Sequence, residues 1–285
     1  MISNQTIKLR VKTLPSLPTS VMSLTKIAGD EHSTTDDIYH VLEKDPALSS
    51  SVLKLANSAI YASDNLVSDL RTAIQRLGMD SILSLCRGVA VIRNYRAGEL
   101  LDVVHLWQHS TAVGLTAKAI CKHLGNFSLA ETAFLAGLLH DIGKIALDRC
   151  FTKEYTPVMQ AIKDGEDLAE AEKRILGVTH TGVGVVVATE WKFPKNIVEV
   201  IRDHHEPKAN VFLPGLIHYS DLLVRTRLPN GPYDEKLVLK LDSDQYFKDM
   251  VFGISGVIPD IEYLTFAIDD EVDRAIDFVK LAFQD

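Results

Sequence analysis

Apolar side chains recur every three or four positions along most of this chain, in short runs separated by residues that cap or break helices. Val21, Leu24, Ile27 and Ala28 make one such face. Ile38, Val41 and Leu42 make a second, Leu48, Val52, Leu53 and Leu55 a third, Leu70, Ala73, Ile74 and Leu77 a fourth, and Ile82 to Ile92 a fifth. The spacing is helical, and nothing alternates as a sheet strand does. The punctuation agrees. Pro15 and Pro18 fix a turn before a Ser or Thr cap, Ser33 to Asp37 reads as another cap, Asp45-Pro46 opens a helix, and Gly78 closes one. Residues 1–13 show no such face and are expected to be an irregular lead-in.

The second half continues the pattern. Helices are predicted over Leu101 to Leu124, Leu129 to Ile142, Tyr155 to Ile162 and Leu168 to Leu176, the last two flanking a surface turn at Asp164-Gly165. Thr179-His180-Thr181-Gly182 opens a helix through Val185 to Trp191, which Phe193-Pro194 breaks. Asn196 is expected to cap Ile197 to His205, and Leu216 to Arg225 follows. Leu228 to Pro232 and Gly253 to Pro259 separate a C-terminal piece, whose helix Ile261 to Phe283 places Leu264, Ala267, Ile268, Val272, Ile276, Val279 and Leu281 against the domain. Its residues Asp269, Asp270, Glu271 and Asp273 are expected to be solvated. The predicted fold is all-α. Its segments are 1–13, 14–100, 101–228 and a small C-terminal helical extension over 229–285.

Composition narrows the function classes. At 285 residues, 46% hydrophobic and 24% charged, the chain is ordinary for a globular protein. A net charge of -8 without any Lys/Arg block argues against a nucleic-acid surface. No apolar run has signal-peptide or membrane-spanning length, so neither a membrane role nor secretion is expected. Cys86, Cys121 and Cys150 are odd in number and unpaired in spacing, which fits reduced thiols in a cytoplasm.

The histidines are concentrated where chemistry would be. Eight of the ten lie between His105 and His218. Gly137-Leu138-Leu139-His140-Asp141-Ile142-Gly143-Lys144 runs an apolar helix into an adjacent imidazole and carboxylate. Gly143 reads as its C-cap, with Lys144 complementing the negative helix end. His105 and His109 lie one turn apart on a single face, as do His218 and Asp221, and His204-His205 end a helix. Imidazoles and carboxylates brought together by several helices suit a divalent transition metal. Trp107 and neighbouring aromatics either shape a ligand site or fill core.

Leu14-Pro15 to Pro18, Asp45-Pro46-Ala47-Leu48, Leu53-Lys54-Leu55-Ala56-Asn57-Ser58-Ala59 and Ala73-Ile74-Gln75-Arg76-Leu77-Gly78, in that order, resemble the HDOD family of bacterial signalling proteins over about residues 14 to 210. The resemblance implies a cytoplasmic signal-transduction protein with an all-helical domain distantly related to the HD phosphohydrolases. Through that superfamily it implies metal ligation by His109, His140, Asp141 and Asp221. The cyclic-dinucleotide phosphodiesterase branch known as HD-GYP is similar at Lys144, His180, His204 and His205 as well. Asp141 and Lys144 take catalytic roles in that pattern, around one or two ions of iron, manganese, zinc or nickel. Two departures stand beside it: His105 occupies the place of a glutamate ligand, and Pro207-Lys208-Ala209-Asn210 follows His204-His205-Glu206 without a Gly-Tyr-Pro motif. The implied function is a metal-dependent phosphohydrolase acting on a nucleotide or cyclic dinucleotide. The alternative is a non-catalytic module that binds a nucleotide or a signalling-protein partner.

Overall fold

The computed structural model describes residues 1–30, 32–61, 66–95, 98–208, 211–228 and 261–283, without the side chains of 59 and 261–267. Among them every regular element is helical, as the periodicity requires. The first half holds α1 (Asn4–Val11), α2 (Thr19–Ile27), α3 (Thr35–Leu42), α4 (Pro46–Ala56), α5 (Leu70–Leu77) and α6 (Met79–Asn94). Local chemistry sets their boundaries. Thr34 and Asp37 form a reciprocal capping box on α3, and Asp45 caps α4 by accepting from Leu48 N at 3.0 Å, with Pro46 at the first helical position.

The lead-in is not irregular. Ser3 caps α1 by accepting from Thr6 N at 3.1 Å, and Ile7 and Val11, one turn apart, are buried. Arg10 fastens the helix by donating to Cys150 O at 3.1 Å and pairing with Glu154 at 2.9 Å. Two isolated apolar residues four apart are a weak signal, and long-range packing decides the outcome here.

The second half holds α7 (Val103–His123), α8 (Ala130–Leu139), α9 (Ile142–Cys150), α10 (Thr152–Lys163), α11 (Leu168–Leu176), α12 (His180–Glu190), α13 (Lys195–Asp203) and α14 (Phe212–Arg225). The last described helix, α15 (Ile261–Phe283), lies along α7 and buries Ile268, Val272, Ala275, Phe278 and Val279. The Gly253 to Pro259 region and the side chains of Leu264 and Ala267 lie outside the described residues, as does all but Leu228 of the loop to Pro232. Glu271, expected on a solvated face, is instead buried beside Arg274, which donates to it at 2.8 Å. Trp107 fills core, its Nε1 donating to Tyr95 O at 3.0 Å. Among the described residues no helix is long and apolar enough to cross a membrane.

Close helix crossings bring the histidine-bearing elements together. A Cβ at Gly137 would lie 2.5 Å from Gly114 Cα, so α7 and α8 touch backbone to backbone. A Cβ at Gly143 would lie 1.9 Å from His180 O. Gly143 is therefore not the C-cap the sequence suggested. α8 stops at Leu139, His140 and Asp141 form the joint, and Gly143 sits in the first turn of α9 because α12 begins against it. Lys144 accordingly belongs to the start of α9, where it reaches back to Asp141.

Candidate metal centre

His140, His180 and His204 are each oriented by the δ nitrogen. His140 Nδ1 lies 2.6 Å from Gly137 O, and His204 Nδ1 lies 3.1 Å from Ile201 O. A carbonyl only accepts, so both nitrogens are donors and the tautomer follows. His180 Nδ1 lies 2.8 Å from Glu172 Oε2, and its backbone N–H donates to the same oxygen at 2.7 Å. The ε nitrogens of the neutral rings then carry lone pairs, and all three face Asp141. His140 Nε2 is 3.2 Å from Asp141 Oδ2, while His180 and His204 Nε2 are 3.5 and 3.7 Å from Oδ1. His205 completes the set, its Nε2 2.8 Å from His180 Nε2.

These atoms fall into two overlapping groups. Asp141, His180, His204 and His205 offer ligand atoms within 4.8 Å of one another, and so do His109, His140 and Asp141. Asp141 is common to both. Bonds of about 2.0–2.2 Å to one ion place ligand atoms roughly 3–4.3 Å apart, which the distances to Oδ1 satisfy. Asp141 Oδ1, His204 Nε2 and His109 Nδ1 are buried without a hydrogen-bond partner in the protein. A lone pair facing a carboxylate in a dry interior is satisfied by a proton or by a metal cation between them. The donor set, imidazole nitrogen with carboxylate oxygen, suits divalent iron, manganese, zinc or nickel.

Electrostatics reinforce the arrangement. Burial pushes the Asp141 carboxyl up, but His140 and Lys144 override it and hold it well below the usual carboxylate range. Lys144 Nζ sits 2.6 Å from Asp141 Oδ2. Burial draws the His140 and His180 imidazolium forms down, and Asp141 and Glu172 respectively outweigh it, so both end raised. His204 is pulled down to about 3 by burial and the charge of His205, and is therefore neutral.

Asp221 stands beside this cluster and is already engaged. His109 Nε2 lies 3.0 Å from its Oδ1, and Arg225, one turn on in α14, grips both oxygens, its Nε donating to Oδ1 at 3.1 Å. Burial pushes Asp221 up, yet Arg225 and His109 keep it well below the carboxylate range. It is outside both groups of converging ligand atoms. His218 Nδ1 lies 2.7 Å from His204 O and braces that residue's backbone. His105 is likewise outside both groups, in the first turn of α7, where its backbone N–H donates to Asp102 at 3.1 Å.

Sequence reasoning missed the supports. Glu172 is fully buried and also accepts from Tyr155 Oη at 3.0 Å, so Tyr155, Glu172 and His180 form one chain ending at Asp141. A signal was present: Leu168, Glu172 and Leu176 share one face of α11, placing a carboxylate within an apolar stripe. Arg225, four residues after Asp221, carried no comparable signal.

Fold and cluster together define an all-helical domain built around a buried His-Asp pair. The HDOD domain family matches residues 14–207, and the chain belongs to that family. A solved HDOD domain protein of unknown function from Geobacter sulfurreducens superposes with a TM-score of 0.83 at 22% identity, covering 99% of each chain. A candidate phosphohydrolase from Shewanella amazonensis SB2B superposes with a TM-score of 0.76 at 25% identity, covering 97% of this chain and 98% of that one. An uncharacterized protein of Treponema pallidum (strain Nichols) is 24% identical over an alignment of 254 residues that covers 82% of this chain. The chain spans about half, 48%, of that curated relative's length.

Proposed function

We propose that this HDOD chain holds one or two divalent transition-metal ions on His109, His140, Asp141, His180, His204 and His205, with Asp221 as a further carboxylate, and hydrolyses a phosphoester of a nucleotide or cyclic dinucleotide in cytoplasmic signalling. One observation carries the reading: the ε nitrogens of three imidazoles, fixed by their δ nitrogens, converge on Asp141, whose Oδ1 has no hydrogen-bond partner in the protein. The likeness to the Shewanella protein supports the reaction class.

A bound divalent ion supplies Lewis acidity, polarising a phosphoryl oxygen and lowering the pKa of water from about 15.7 to near 7. The chain's own residues do the rest. Asp141 stays ionised and keeps the negative charge that ligation requires. Glu172 and the carbonyls of Gly137 and Ile201 hold the imidazoles in the ligating tautomer. Lys144 places a positive charge 2.6 Å from Asp141, where it offsets charge growing on a phosphoryl group.

A second reading, binding without turnover, is favoured by burial. His109, His140, Asp141, Lys144, His180, His204 and Asp221 are only 0–4% exposed, so a phosphoester reaches them only if the cover moves. The deciding experiment measures metal per chain and turnover of phosphomonoester, phosphodiester and cyclic-dinucleotide substrates, for the parent and the His140→Ala/Asp141→Ala double variant. One or two ions in the parent, lost in the variant together with turnover, support hydrolysis. Metal without turnover of any substrate supports the binding module. A parent that stays metal-free after incubation with iron, manganese, zinc and nickel sinks the metal site itself.

A further inference from the structure

Arg87 is a charged side chain that neither the fold nor the His-Asp cluster satisfies. It projects from α6 at 8% exposure. Among the described residues nothing hydrogen-bonds its Nε and no carboxylate forms an ion pair with it. Burial pulls the guanidinium down, yet arginine remains charged at neutral pH. Asp80, exposed on the wall of the pocket that Arg87 lines, acts on the guanidinium without forming an ion pair, so the buried Nε–H still lacks an acceptor, and a closer anion would supply one.

Arg87 lines a pocket of about 220 Å³ where α6 meets the N-terminal ends of α8 and α13. Thr132 and Ser128 supply hydroxyls to the same wall. Asn196 lines it too; its Oδ1 accepts from Ile197 N at 3.0 Å, which leaves its amide NH₂ as a donor. Two helix N-termini add positive dipole ends. The same wall also carries Asp80 and Glu131. Glu131 Oε1 takes Lys118 at 2.7 Å and Ser81 at 2.8 Å, while its Oε2 has no hydrogen-bond partner.

We propose that this pocket binds a small, singly charged carboxylate, gripped by Arg87 and flanked by Thr132 and Asn196. The guanidinium fork matches a carboxylate's two oxygens. Asp80 and Glu131 repel any anion, and a dianion about twice as strongly as a monoanion, while the planar fork of Arg87 is already matched by one carboxylate, so a monocarboxylate is favoured over phosphate or a dicarboxylate. The volume lies below the roughly 300–1,000 Å³ of drug-sized pockets, which limits the ligand to a few non-hydrogen atoms. The site is distinct from the metal cluster, because Thr132 and His140 are eight residues apart along α8 and its C-terminal joint, roughly 12 Å at 1.5 Å per residue.

The test titrates the full chain with acetate, lactate, pyruvate, succinate and inorganic phosphate, following calorimetry, thermal unfolding and metal content. The parent is expected to bind at least one of acetate, lactate and pyruvate, and to bind it more tightly than succinate or phosphate. Arg87→Met should weaken that binding by about tenfold or more, leave metal content unchanged, and melt higher than the ligand-free parent because the lone charge is gone. Thr132→Val, which retains Arg87, should weaken the same ligand and provides the readout if Arg87→Met does not fold. A parent that binds none of the three monocarboxylates, tighter binding of phosphate or succinate, or affinity unchanged in the folded variants overturns the proposal.

Discussion

α5 and α8 are of similar length but live in different media. α5 buries Ala73 and Ile74 and leaves Arg71, Thr72 and Gln75 to water, whereas α8 has no exposed residue. At the start of α5, Asp69 accepts from Thr72 N at 2.9 Å, and solvent serves whatever else is polar. Around α8 and its joint with α9 there is little solvent to call on. Each polar atom there is satisfied by protein or waits for something that is not protein. Polar side chains at the start of α5 therefore mark where a helix begins, and those at the joint of α8 with α9 converge on Asp141.

That contrast breaks most visibly at Glu172. Glu172→Ala leaves the His180 ring, its backbone N–H and the Tyr155 hydroxyl without their shared acceptor, and should destabilise the protein by about 3–5 kcal/mol in urea unfolding. It should also weaken metal binding about 10–100-fold. Glu172→Gln, which keeps an acceptor oxygen, should lose less of both; equal loss would mean the carboxylate acts by charge alone. Next in size is Gly143→Ala, whose new Cβ meets the His180 carbonyl at 1.9 Å and forces α9 and α12 apart. About 1–3 kcal/mol of stability should go, with reduced metal occupancy measured on the folded fraction. Smallest is Thr34→Ala at the α3 cap, about 1 kcal/mol with metal content untouched. A change in metal content there would erase the distinction between the halves.

Periodicity and caps were enough to read most helices from residue 14 onward, because each buries a face and ends at a residue with one obvious local role; α9 was not foreseen, since a helix stop read at Gly143 left Ile142 to Cys150 unassigned. α1 was missed because its two buried residues only make sense once α9 and α12 are beside them. His109, His140, Asp141, His180, His204, His205 and Asp221 were singled out as a set; the fold brings the first six into two groups that share Asp141 and leaves Asp221 outside both. Gly143 was misread because a glycine that ends a helix and a glycine that admits a neighbouring backbone look alike in one dimension. Glu172 was passed over although its place among Leu168 and Leu176 marked it as buried, and Arg87 because a lone arginine carries no motif.

The contact of Gly114 with Gly137 has a consequence for descent. The crossing of α7 and α8 is closed by backbone against backbone, with no histidine or carboxylate taking part. Side chains of the His-Asp cluster can thus be exchanged one at a time while the scaffold persists, provided that whatever replaces them is satisfied where it lies. A chain built on this crossing can lose side chains of the cluster and still keep the geometry of α7 against α8.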